Sequence, residues 1–175
     1  MVLLTFFWED NSVLYLSLHQ WPLYPGTGWW DEIGGMSGEG FTINLPLYPS
    51  TGDDMYIHFV KTFFLPLVEQ FEPEVIGVSA GFDAHRSDPL TQMNLSLNAY
   101  YQVGKFLHNH KVFAVLEGGY DLDVLPRAVL AFLAGMRDEE FVSEEEPTVT
   151  RKGIKEKNIK RLREIKKLLS QYWVL

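Results

Sequence analysis

The sequence has no cysteine in its 175 residues. Disulfides, thiolate metal sites and cysteine nucleophiles are thereby excluded, and any bound metal must rest on His, Asp or Glu. Histidine is also sparse. The five are His19, His58, His85, His108 and His110, and no two are adjacent. No apolar run approaches the roughly 18 residues of a membrane span. The first eight residues are apolar in character but lack a basic start and a small-residue cleavage site, so they do not read as a secretory leader. A cytoplasmic protein with no membrane partner is the expectation. Basic residues are few over positions 1–150, where 6 Lys/Arg face 21 Asp/Glu, a net charge of −15. Such an acidic body makes nucleic acid an unlikely partner. Residues 151–175 reverse the balance, with 9 Lys/Arg against 2 Asp/Glu.

What is present reads as an α/β domain. Val13–Leu18 and Phe41–Leu45 are short β-prone runs, and between them lies a loop rich in Gly, Pro and Trp. That loop has no periodicity of its own and carries Trp21, Tyr24, Trp29 and Trp30, which favours a functional role. From Asp53 or Asp54, either of which can cap a helix, apolar residues recur at helical spacing to Phe71, with Pro66 placed to kink the run. Residues 75–80 and 112–116 are continuous apolar runs without alternation, as in parallel strands covered on both faces. Helical patterns follow each, over 92–109 and 122–135. Strand, helix, strand, helix implies right-handed βαβ units. Residues 138–150 read as an acidic linker. Residues 154–173 read as a basic amphipathic helix whose stripe (Ile159, Leu162, Ile165, Leu169, Tyr172, Trp173) docks on the body while its charges face water. The expected organisation is thus 1–137, 138–150 and 151–175.

In open α/β sheets ligands bind beyond the carboxyl ends of the strands. Two loops occupy such positions. The first, after residue 80, offers Asp83, His85 and Asp88. These could hold a borderline cation; alternatively, Asp83 caps the next segment and the other two are surface residues. The second is Glu117-Gly118-Gly119-Tyr120. Its glycines allow close backbone approach and its phenol could donate to a developing oxyanion; a tight turn with a packing Tyr is the other reading.

Six motifs occur in one order: Ser-Leu-His-Gln at 17–20, Tyr-Pro-Gly-Thr-Gly at 24–28, Gly-Glu-Gly-Phe at 38–41, Ser-Ala-Gly-Phe-Asp-Ala-His at 79–85, Asp-Pro-Leu at 88–90 and Leu-Glu-Gly-Gly-Tyr at 116–120. Together they resemble the histone deacetylase superfamily over about residues 6–136. That group also includes acetoin-utilisation proteins and acetylpolyamine amidohydrolases. The resemblance implies a three-layer, mostly parallel sheet with helices on both faces, of the arginase/deacetylase kind. It implies zinc-dependent hydrolysis of acetyl-lysine or a related acyl amide. Asp83 then corresponds to a zinc ligand and Tyr120 to the catalytic oxyanion donor. Tyr24 corresponds to a wall of the acyl-lysine tunnel, with Gly118 and Gly119 bordering its floor. The family also carries monovalent cations, commonly potassium. Ser17 and the Leu18 carbonyl match one such site in part, and Phe7, Asp10, Val13 and Phe41 match a second by position.

One departure stands out. The family places two further zinc ligands in an Asp-x-His-His-Gly motif upstream of the matched region, and a catalytic His-His pair further upstream still. This sequence has neither. Asp83-Ala84-His85 offers an Asp-x-His pattern, but the family does not use that His as a ligand. The expectation is a truncated, split or inactive deacetylase, its fold incomplete at the N-terminus, that self-associates or needs the missing N-terminal half. The alternative is a non-catalytic binding module or subunit that uses the residual pocket and the basic tail.

Overall fold

The computed structural model describes residues 2–175. In chain order the elements are α1 (Val2–Phe6), β1 (Tyr15–Gln20), a 3-10 turn (Met36–Gly38), β2 (Thr42–Leu47), α2 (Asp53–Phe59), a π turn (Val60–Phe64), α3 (Leu65–Phe71), β3 (Ile76–Ala80), α4 (Leu97–Leu107), β4 (Val112–Leu116), α5 (Leu125–Met136) and α6 (Lys152–Leu169). The chain divides into two compact units. One comprises Met1–Tyr48 with Gly153–Leu175, and the other Pro49–Lys152. Residues 138–152 fall in the second unit, and Gly153–Leu175, which hold all but the first residue of α6, fall in the first.

In the first unit β1 and β2 pair in parallel, from Tyr15 opposite Thr42 to Gln20 opposite Leu47. Every residue of β2 is buried. The stripe of α6 docks as its spacing predicts, with Leu162, Ile165 and Leu169 buried. Its polar anchors were not legible. Asn158 accepts the Tyr48 amide at 3.1 Å, and the Arg161 guanidinium stacks 4.0 Å from the Tyr48 ring and 4.8 Å from that of Trp29. The Trp173 indole donates to the Gly40 carbonyl at 2.8 Å.

In the second unit β3 and β4 pair in parallel, from Ile76 opposite Val112 to Ala80 opposite Leu116. Between these strands α4 intervenes, and α5 follows β4 and packs on α4, in the order the βαβ pattern predicts. Their core joins Ala80, Phe82, Leu97, Tyr100, Ala131 and Phe132. α4 and α5 approach backbone to backbone where Gly104 meets the Phe132 carbonyl and Gly135 meets that of Tyr101, contacts that leave no room for a Cβ.

The helix expected from Asp53 to Phe71 is divided in three. Pro66 has no N–H, and its ring crowds the carbonyl four residues earlier. The chain widens to a π turn, in which the Leu65 amide reaches the Val60 carbonyl. Neither Asp53 nor Asp54 is the cap, because Gly52 holds that position. The Asp53 carboxylate is instead buried, accepting from the Ser96 amide and hydroxyl at 2.8 and 2.5 Å and from the Thr148 hydroxyl at 3.0 Å. Asp54 accepts from the amide and hydroxyl of Thr150. Residues 148–150 are therefore bound along the start of α2, unlike the linker that their acidic context suggests.

Candidate active site

The two loops singled out in the sequence lie side by side in the second unit, because the parallel pairing of β3 and β4 brings their carboxyl ends together. The Phe82 amide donates to the Gly118 carbonyl at 2.8 Å, and the Glu117 amide to Ala80 at 3.0 Å. Between the loops sits the half-buried Asp83 carboxylate. A Cβ on Gly118 would stand 3.0 Å from Asp83 Oδ1, and one on Gly81 would stand 3.1 Å from the same atom. A side chain at either position would press on the Asp83 carboxylate, which would have to give by a few tenths of an ångström. Gly119 has φ +134°, which an L side chain rarely adopts. Burial raises the Asp83 pKa above the ordinary carboxylate value, and the Asp88 charge adds to the effect. A carboxylate raised in this way is poised to gain from a neighbouring cation.

Asp88 is buried rather than on the surface. One of its oxygens accepts the amides of Tyr120 at 2.6 Å and Asp121 at 3.2 Å, and the other accepts the Leu90 amide at 2.9 Å. It fastens the Tyr120 loop to the Asp83 loop. The Tyr120 side chain is exposed.

His85 is also buried, at 2% exposure, and both of its ring nitrogens are engaged. Nε2 meets Glu145 at 3.0 Å, and Nδ1 meets the Ser87 hydroxyl at 2.9 Å. This corrects the surface reading of His85 and takes away its availability as a substitute metal ligand. Ser87 in turn donates to Asp121 at 2.6 Å. Beneath the loops lie two tyrosines, Tyr56 and Tyr100, that the sequence analysis did not single out. The Tyr100 hydroxyl donates to the Phe82 carbonyl at 2.9 Å. Burial, with the Asp83 charge as a second cause, pushes the Tyr56 pKa up to about 12. Both sit at helical spacing among apolar residues, a pattern that carries no sign of a nearby carboxylate.

The remaining residues singled out lie in the first unit. Tyr24 is at the tip of its loop and 94% exposed. The loop base is held by Glu32, whose carboxylate accepts the Gly28 and Trp29 amides at 2.9 Å, and by His19 Nε2, which lies 3.0 Å from the Gly28 carbonyl. Burial lowers the His19 pKa, which keeps the ring neutral at pH 7. Ser17 contacts His19 Nδ1 at 2.8 Å. Opposite Ser17 on β2 stands Asn44, buried, with an Oδ1 that has no hydrogen-bond partner. Leu18 and Val13 are half-buried on and before β1. The Phe7 carbonyl accepts the Asp10 amide, the Phe41 carbonyl accepts that of Tyr15, and the Asp10 carboxylate is occupied by Ser12.

Among the described residues no group of three or more His, Asp or Glu side chains stands together to hold a metal. A catalytic zinc needs about three protein ligands. Asp83 is a single donor, so the residues of this chain do not by themselves fit a zinc centre. Among the described residues no helix is long and apolar enough to cross a membrane.

The histone deacetylase domain profile matches residues 4–136. A probable deacetylase of Archaeoglobus fulgidus is 39% identical over 149 residues, which cover 81% of this chain and 42% of that protein. A probable deacetylase of Methanothermobacter thermautotrophicus is 40% identical, covering 79% and 43%. The solved structure of the histone deacetylase Clr3 superposes with a TM-score of 0.85 at 32% identity, covering 95% of this chain and 29% of that one. The chain thus spans less than half the length of these relatives. Motif order, the paired loops and the fold agree with these likenesses, and the chain belongs to the histone deacetylase family, with its arginase/deacetylase fold.

Proposed function

We propose that this chain carries part of the centre of a zinc-dependent deacetylase, one that hydrolyses acetyl-lysine or a related acyl amide, and that it acts in the cytoplasm. The observation that carries this reading is the Asp83 carboxylate, cradled by Gly81 and Gly118 beside a Tyr120 loop that Asp88 fastens to it. In this reading Asp83 is one zinc ligand. The Tyr120 phenol donates to the oxyanion as the amide carbonyl becomes tetrahedral, a contact stronger in the transition state than in the ground state. Gly118 and Gly119 let the acyl group approach the backbone, and Tyr24 is assigned to the acyl-lysine tunnel by its match to the family motif alone. Bound zinc would supply Lewis acidity and an activated water. Ser17 and Leu18, with the unsatisfied Asn44 oxygen nearby, are candidates for a monovalent cation such as potassium, and so are Phe7, Asp10, Val13 and Phe41. With one zinc ligand of about three, the chain alone is expected to be inactive.

Elemental analysis of the purified chain after zinc exposure and desalting tests this reading. The expected result is no stoichiometric zinc and no release of acetate from an acetyl-lysine peptide. Near-stoichiometric zinc that disappears in Asp83→Ala would overturn the view that the chain cannot complete the centre by itself. If a completed assembly deacetylates, Tyr120→Phe should lower kcat by about 10²- to 10³-fold, the usual cost of removing one oxyanion donor.

A further inference from the structure

Residues 141–146 alternate in exposure. Phe141, Ser143 and Glu145 are half-buried, whereas Val142, Glu144 and Glu146 are exposed. Of three consecutive glutamates the fold thus turns one inward, and its side chain is 12% exposed. The Ser143 hydroxyl fixes the turn by accepting the Glu145 amide at 3.0 Å. A carboxylate leaves water in this way only where other groups replace its hydration, and here four do so. Oε2 accepts the Leu97 amide at 3.2 Å and lies 3.0 Å from His85 Nε2 and 3.5 Å from Arg86 Nη2, while Oε1 lies 3.8 Å from Arg127 Nη2. Glu145 therefore joins the Asp83 loop to the first turns of α4 and α5. The contacts continue toward Tyr120. His85 is buried two residues after Asp83, and its Nδ1 meets the Ser87 hydroxyl at 2.9 Å. That hydroxyl donates to Asp121 Oδ2 at 2.6 Å. Asp121 directly follows Tyr120, and its other oxygen accepts the Asp123 and Val124 amides that lead into α5.

We propose that Glu145 is a positioning residue of the candidate active site, one that holds the Asp83 and Tyr120 loops in place through His85, Ser87 and Asp121. This rests on the deacetylase reading above and extends it to a residue beyond 4–136, the span that the domain profile matches. Asp88 and Glu145 do different things. Asp88 fastens the two loops to each other. Glu145 ties the fastened pair to α4 and α5, which pack backbone to backbone and form a firm base. It thereby sets where the pair sits on the unit. Groups at a reacting centre need holding to within about 0.5 Å, so the tie to the base matters as much as the tie between the loops. Without the carboxylate, the buried His85 Nε2 loses its partner, and the loop relieves that by moving or by admitting water.

The test is amide hydrogen exchange of the full 175-residue chain, read residue by residue by NMR. In Glu145→Ala the amides of Arg86, Asp88, Tyr120 and Asp121 should exchange about tenfold or more faster, the scale of a lost hydrogen bond to a charged group. Thr150→Val breaks a different tie of the same segment, to Asp54 and the Gly52 amide, and so controls for lost stability. It should leave those four amides at their wild-type rates. Ser87→Ala interrupts the chain of contacts at its far end. Combined with Glu145→Ala it should loosen Tyr120 and Asp121 no further than the larger single effect, because both changes break one chain. Circular dichroism checks that each variant is folded; if Glu145→Ala is not, Glu145→Gln takes its place. Unchanged loop exchange in the Glu145 variant, equal loosening in Thr150→Val, or effects of Glu145 and Ser87 that simply sum overturn the proposal. These rates are read without zinc or substrate. Loops that loosen as expected, in a chain whose completed assembly neither retains zinc nor deacetylates, support the tie and sink the catalytic reading instead.

Discussion

Asp88 shows how little a residue's sequence context says about its work. In the sequence it is a loop carboxylate before a proline, open to reading as a metal ligand or a surface residue. In the fold it accepts three backbone amides, two of them from the Tyr120 loop. Removing the acceptor leaves three part-buried amides without it, which costs roughly 1–3 kcal/mol. Asp88→Ala should therefore lower the urea midpoint by that equivalent, with Asp88→Asn milder because one oxygen remains. An unchanged midpoint would mean that the amides find water. Asp83 was easier to read, since a carboxylate directly after a buried strand and a glycine pair after the next are both visible in the sequence. That the carboxylate fills the space over Gly118, and that Tyr56 and Tyr100 lie beneath it, needed coordinates, because none of these contacts is local in sequence.

At the scale of elements, strands and helices were legible from their periodicities, and the ends were not. Residues 143–150 look like a solvated acidic run, yet they hold two separate regions in place. Thr148 and Thr150 satisfy the start of α2, and Glu145 joins His85, Arg86 and the amide that begins α4. Burial alone would raise the Glu145 pKa; the hydrogen bonds from His85 and the Leu97 amide, with the Arg86 charge, override it and hold the pKa below 4.5. A depressed carboxylate contributes stability that is present above its unfolded pKa and is lost as pH falls through its folded one. The difference in stability between the wild type and Glu145→Gln should then be about 1–3 kcal/mol at pH 7 and should shrink below pH 4.5. Denaturant titrations at several pH values measure it, and a difference that grows on acidification would refute the assignment.

For the whole molecule, the uneven charge is a physical property in its own right. The sequence isoelectric point is about 5.1 and the formal net charge at pH 7 is −8. Net repulsion keeps copies apart at pH 7 and vanishes near the isoelectric point, where exposed apolar surface such as that of β4 can associate. Light scattering should rise as pH is lowered from 7 toward 5.1 and should fall again in Val115→Lys. The basic C-terminal run, which by composition could suggest a binding tail, spends its apolar stripe on its own unit, and Arg161 lies against two aromatic rings.

The sequence by itself determined the family, the parallel α/β class, the positions of four strands and the two loops that carry Asp83 and Tyr120. These depend on local periodicity and on motifs whose spacing survives in one dimension. Only the tertiary structure decided that His85 and Asp88 are buried, that distant threonines bind the start of α2, and that Phe113, Val115 and Leu116 of β4 are exposed. Each of these is a matter of what packs against what across many residues of chain, and burial and hydrogen-bond pairing exist only once the chain is folded.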